Sequence, residues 1–125
     1  MKIGVPKEVK NNEYRVGLTP NSVRSLTDEN HEVFIESNAG SEIGFTNEDY
    51  INCGATVVNN AAELYKSADL IVKVKEPIKE EFQFLSKDHT VFAYLHLAGD
   101  PKTGLELTST GVTGIALETV TSSDG

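Results

Sequence analysis

"DLIVKVK", residues 69–75, decides how the rest of the chain is read. Leu70, Ile71 and Val72 follow one another without a polar break. A strand wetted on one face alternates apolar and polar residues, so an unbroken run fits a strand covered on both faces. "TVFAYLHL", residues 90–97, has the same character. Strands of this kind belong to parallel sheets with helices packed on either side.

Reading outward, helix-like segments separate further short apolar runs. "KIGV" (2–5) reads as a strand, and Thr19-Pro20 as an N-cap with proline in the first turn of a helix reaching about Leu26. "HEVFIES" (31–37) is a strand, and "NAGSEIGF" (38–45) a glycine-containing loop. Thr46 with Asp49 forms a capping pattern for a short helix that closes near Gly54. "ATVVN" (55–59) is a strand, and "NAAELYKSA" (60–68) a helix offering Ala62, Leu64 and Tyr65 to a core. "IKEEFQFL" (78–85) reads as a helix, Pro101 opens another to about Thr110, and "VTGIALETV" (112–120) is the last strand. The expected fold is α/β, a mostly parallel sheet of about six strands with helices on both faces, Rossmann-like or flavodoxin-like. The closing "TSSDG" (121–125) reads as a turn or chain end.

The bulk numbers bound the function. At 125 residues, the chain suits one domain and is short for a two-domain cofactor enzyme. A net charge of -8 argues against nucleic acid or an anionic membrane as partner, while leaving room for a local cationic pocket. The single cysteine, Cys53, excludes an internal disulfide and fits a reducing cytoplasm. No apolar run approaches membrane-span length, and "MKIGVPKE" lacks the apolar core of a signal peptide.

In an open parallel sheet, ligands bind beyond the carboxyl ends of the strands. The loop after the first strand bears Lys7, Glu8 and Arg15; strand 69–75 ends in Lys73, Lys75 and Glu76; strand 90–97 ends with Tyr94 and His96. Arg15 offers a planar fork suited to a carboxylate, although composition alone makes it a solvated surface charge. Lys75 supplies a point charge for a carboxylate or keto oxygen, or snorkels from the sheet edge. Lys73 shares a face with Lys75 by strand alternation and reads as solvated or paired with an acid. His96, flanked by leucines, is either a hydrogen-bonded core histidine or a proton-exchanging group at a strand end. Glu8 and Tyr94 are candidates to support these groups or to make structural hydrogen bonds. His31 and His89 read as loop residues, and Glu118 as structural. The ten glycines contain no G-x-G-x-x-G or P-loop spacing, there is no nucleophile-elbow motif, and no Cys/His cluster has metal-ligand spacing.

"MKIGVPKEVKNNEYRVGLTP" (1–20), "NAGSEIGFTNEDYINCGA" (38–55), "KVKEP" (73–77), "YLHLA" (94–98) and "GVTGIALETV" (111–120) together resemble the N-terminal part of alanine dehydrogenase, across nearly the whole chain. The opening segment is shared with the NAD-binding subunit of proton-translocating transhydrogenase, whereas the histidine of "YLHLA" is the dehydrogenase form. The resemblance implies NAD-dependent interconversion of L-alanine and water with pyruvate and ammonia. It implies that Arg15 binds the substrate carboxylate, Lys75 holds the carboxylate or keto oxygen and favours imine chemistry, and His96 is the general acid/base. It also implies a homo-oligomeric enzyme whose substrate domain is discontinuous. Residues 1–125 are expected to be the N-terminal part of that domain, with the nucleotide-binding domain and a catalytic aspartate outside them, so this chain alone is expected to bind no NAD tightly and to be incomplete for catalysis. Gly17 stands where alanine is usual, and Glu42 adds a charge to the glycine loop. The alternatives are a transhydrogenase-type subunit and a stand-alone, non-catalytic carboxylate-binding or assembly module.

Overall fold

The computed structural model describes residues 1–8, 15–75, 79–94, 111 and 113–116. Six strands form one sheet: β1 (Lys2–Val5), β2 (Glu32–Glu36), β3 (Thr56–Val58), β4 (Leu70–Lys75), β5 (Thr90–Tyr94) and β6 (Thr113–Ala116), in the order β3-β2-β1-β4-β5-β6. Every neighbouring pair is parallel. This is the doubly wound Rossmann order, which decides between the two topologies expected from the sequence.

Among the described residues, three α-helices lie between the strands: α1 (Pro20–Asp28), α2 (Asn47–Asn52) and α3 (Ala61–Ser67). Each has the start signal its sequence carries. The Thr19 side chain accepts from the Ser22 N–H with Pro20 beside it, Thr46 and Asp49 form a complete capping box, and Asn60 accepts from the Glu63 N–H. Residues 79–84 form a 3₁₀ turn rather than the α-helix expected over 78–85. The helix expected after Pro101 lies outside the described residues.

Strand alternation divides the core into two layers. Ile3, Val5, Val33 and Ile35 pack with Val23 of α1 and Tyr50 of α2 on one face. Ile71, Val91 and Ala93 pack with Leu64 and Tyr65 of α3 and with Leu85 on the other. Ala62, expected in the core, is exposed, because this short helix turns Leu64 and Tyr65, with Ala61 partly buried beside them, toward the core. The close seating of α3 depends on Gly4, where a Cβ would stand 2.6 Å from the Ala68 Cβ. His89 is structural, though more buried than a loop residue need be. Its Nε2 donates to the Tyr65 carbonyl at 2.7 Å and its Nδ1 accepts from the Ser86 N–H at 3.1 Å.

The register of β4 against β5 corrects one expectation. Val72 pairs with Phe92 but Lys75 pairs with Tyr94, so β4 advances one residue more than its neighbour. Such a slip breaks strict alternation. A shared face for Lys73 and Lys75 therefore no longer follows from the strand.

Candidate functional site

The order of strands reverses between β1 and β4, where the chain has gone leftward through β2 and β3 and then returns. At such a switch point, the loops leaving adjacent strands diverge and open a crevice beyond their carboxyl ends. Three of the predicted segments meet there. Glu8 follows β1, Lys73 and Lys75 end β4, and Tyr94 ends the neighbouring β5 in register with Lys75. Arg15 is exposed. His96 and Glu118 lie outside the described residues.

The interior of this edge is ionic. Lys73 Nζ lies 3.3 Å from Glu8 Oε1 and 3.0 Å from Glu81 Oε2, with all three side chains nearly removed from solvent. Tyr65 Oη donates to Glu81 Oε2 at 2.9 Å. The second oxygen of Glu8 accepts from the Val74 N–H at 3.1 Å. Burying an ion is costly unless it is paired and bonded, and here the one ammonium has two carboxylates. The pairing expected as one option for Lys73 is thus the one observed. Glu81 and Tyr65 were not anticipated from sequence; the available signal was a lysine inside an apolar run, which demands an acidic partner without naming it.

Glu36, at the end of β2, adds a third acid. Its Oε1 accepts from the Lys7 N–H at 2.9 Å. Burial raises its carboxyl above the usual 4.5, against the opposing pull of the Lys7 amide and the Lys73 charge. Burial, and then the Glu81 charge beside it, drives the Tyr65 phenol far above its ordinary range, so it serves as a hydrogen-bond donor only. Tyr50 is pushed up to about 12, chiefly by burial, and its Oη donates to the Leu18 carbonyl at 2.7 Å. That bond ties α2 to the segment following Arg15.

On the α1 face of β4 and β5 lies an apolar recess of about 440 Å³, lined by Leu18, Leu26, Leu70, Val72, Val74 and Phe92 among others. It is far more apolar than a small charged ligand requires.

The described start of α1 differs from a Rossmann nucleotide site. There, a tight glycine turn presents helix N–H groups to pyrophosphate. Here Pro20 brings no N–H, and the Ser22 N–H is already taken by Thr19. Gly17 is packed against the backbone of Val72, not open to a ligand.

Comparison with known proteins gives this arrangement its kinship. Residues 4–125 match the family model described as the alanine dehydrogenase/PNT N-terminal domain. The chain belongs to this family. It is 45% identical over 125 residues to the alanine dehydrogenase of Staphylococcus epidermidis, covering all of this chain and 33% of the relative. It is 46% identical over 120 residues to that of Bacillus subtilis, covering 96% of this chain and 32% of the relative. A solved L-alanine dehydrogenase superposes with a TM-score of 0.94 at 48% identity, over 99% of this chain and 34% of that one. The transhydrogenase of Sinorhizobium meliloti superposes with a TM-score of 0.88 at 29% identity, over 94% of this chain and 35% of that one. This alanine dehydrogenase/PNT N-terminal domain therefore spans about a third of the length of the curated relatives it matches. Among the described residues, no helix is long and apolar enough to cross a membrane, and no group of His, Cys, Asp or Glu is placed to hold a metal ion.

Proposed function

We propose that residues 1–125 are the N-terminal, substrate-binding portion of an NAD-dependent L-alanine dehydrogenase, which interconverts L-alanine and water with pyruvate and ammonia. The observation that supports this reading best is the switch point between β1 and β4, with the Lys75 end of β4 in register with the Tyr94 end of β5, in a chain 45% identical to such an enzyme. In this reading, Arg15 grips the substrate carboxylate through its guanidinium fork. Lys75 attracts the carboxylate or keto oxygen and polarises the carbon that ammonia attacks. His96 exchanges the proton that the carbinolamine and imine steps require, and Tyr94 supports the pocket wall. NAD supplies the hydride acceptor, held by a nucleotide-binding domain outside these residues. The substrate domain is completed by further polypeptide as well, and the apolar recess over β4 and β5 is the face it covers, because strands of a parallel sheet are buried on both sides. The reaction is placed in the cytoplasm of a homo-oligomeric enzyme.

The test is oxidation of NADH by the intact polypeptide supplied with pyruvate and ammonia. NADH consumed in large molar excess over protein is expected. No oxidation by the intact polypeptide would overturn the reading in favour of a non-catalytic module. NADH oxidation linked to NADP⁺ reduction, without pyruvate, would favour the transhydrogenase alternative. The 125-residue chain by itself is expected to give no turnover, since hydride transfer needs the nicotinamide set against the substrate carbon.

A further inference from the structure

We propose that Glu8, held in place by Lys73, is a positioning residue that fixes the slipped end of β4, and with it Lys75, against the crevice at the switch point. The proposal rests on the reading of that crevice as the substrate site.

The argument starts from the backbone. The β1–β4 pairing ends at Gly4 with Ile71, and the β4–β5 register slips between Val72 and Lys75. The last residues of β4 thus run past the end of β1 just where their alignment with β5 is irregular. A strand end in this state would wander, and its N–H groups need acceptors. Glu8 supplies one, because its Oε2 accepts from the Val74 N–H. Its other oxygen is anchored by Lys73 Nζ, which is anchored in turn by Glu81 and, through Glu81, by Tyr65 of α3. The chain of contacts runs from the core of α3 to the backbone one residue before Lys75.

The placement of Glu8 is itself firm. It is buried, and the preceding Lys7 N–H is bound to Glu36 at the end of β2. The carboxyl ends of β1, β2 and β4 are therefore tied through a single short stretch, residues 7–8. None of these bonded groups need touch substrate. Their effect is geometric: misplacement of a substrate-holding group by about 1 Å is enough to slow a reaction about 10²-fold.

The experiment compares Glu8→Leu with the wild type in the intact polypeptide. This variant leaves Lys73 paired with Glu81. Hydrogen–deuterium exchange over peptides spanning β4 is expected to show the Val74 amide exchanging about tenfold faster or more. Pyruvate kcat/KM is expected to fall about 10²-fold with the KM for NADH unchanged. Val33→Ala, a core truncation in β2 that touches none of these groups, is expected to lower the melting temperature without either effect. Should Glu8→Leu not fold, Glu8→Gln, which keeps the side-chain volume and one acceptor oxygen, gives the same two readouts at smaller amplitude. Unchanged exchange at Val74, or a kcat/KM no lower than that of Val33→Ala, overturns the proposal. If the wild type does not turn over pyruvate at all, the substrate-site reading fails, and the Val74 exchange alone decides whether Glu8 fixes β4.

Discussion

Gly17→Ala puts the seating of the Arg15 loop to the test. The φ of Gly17 is not in the left-handed region, which among the described glycines is held by Gly44, Gly54 and Gly111, so the backbone itself would accept alanine. With space available, the exchange would stabilise by about 0.4–1 kcal/mol, by narrowing the unfolded ensemble. Space is what the structure denies. A Cβ at Gly17 would meet the Val72 carbonyl oxygen at 2.4 Å and its carbon at 2.9 Å. Loop and strand must therefore part by at least 0.6 Å, the gap between 2.4 Å and the 3.0 Å that real Cβ contacts respect. Val72 lies in a strand with neighbours on both sides, so most of that movement falls on the loop. Forced overpacking of this kind costs about 1–3 kcal/mol, and setting it against the entropic gain leaves a net loss of about 1–2 kcal/mol. Equilibrium urea unfolding reads it directly as a lower midpoint at unchanged m-value. An alanine variant as stable as the wild type, or more so, would refute the close seating of residues 15–19 on β4.

Four further outcomes are expected. Tyr50→Phe keeps the ring but strips the Leu18 carbonyl of its donor, and should lower the unfolding free energy by about 1–2 kcal/mol in thermal or urea denaturation. Glu36→Gln keeps an acceptor for the Lys7 amide while removing a disfavoured charge. Because the folded carboxyl is raised, its contribution to stability is present below 4.5 and is lost as pH rises through the folded value, so the glutamine variant should gain on the wild type between pH 4 and pH 7. The gain is small for a half-exposed group, and a stability difference flat across that range would contradict it. In the intact enzyme, His96→Ala should cut kcat by roughly 10²–10⁴-fold, and near-normal turnover would remove His96 from the chemistry. Arg15→Lys should raise the KM for pyruvate, since a point charge cannot reproduce a two-pronged grip; an unchanged KM would return Arg15 to the surface.

How much of this was legible in the sequence depends on what each residue had to signal. Ile71, Val91 and Ala93 announce buried strands because two covered faces leave no polar positions, and the structure has them in the core. Thr46 and Asp49 announce a helix start because both halves of a capping box are local. Strand order is not local. Alternation of strands and helices is common to several doubly wound topologies, so the Rossmann order emerged only from the pairing of β1 with β4. The slip in β4 was equally invisible, because one extra residue leaves "LIVKVK" looking like any apolar strand. Lys73 signalled that it needed an acid. Which acid depended on α3 and the 79–84 turn arriving at the same face, and no spacing encodes that.

The ionic interior of the sheet edge also limits what can attract a substrate. Lys73 faces Glu8 and Glu81 at salt-bridge distance, with the Glu36 carboxyl within its field. Its charge is more than balanced, so it projects no net positive potential into the crevice. On a chain of net charge -8, a carboxylate would otherwise be repelled. In the proposed reaction, attraction is therefore assigned to Arg15 and Lys75 rather than to Lys73. A Rossmann nucleotide site solves the same problem with glycine amides and a helix N-terminus. Here Pro20 brings no N–H to the start of α1 and Thr19 already holds the Ser22 N–H, so the proposed reading gives that task to long cationic side chains holding a small acid. In the proposed reaction Lys73 secures the strand and Lys75, two residues on, serves the ligand, so exchanging the two roles is not a conservative change, even though both residues are lysines on one strand.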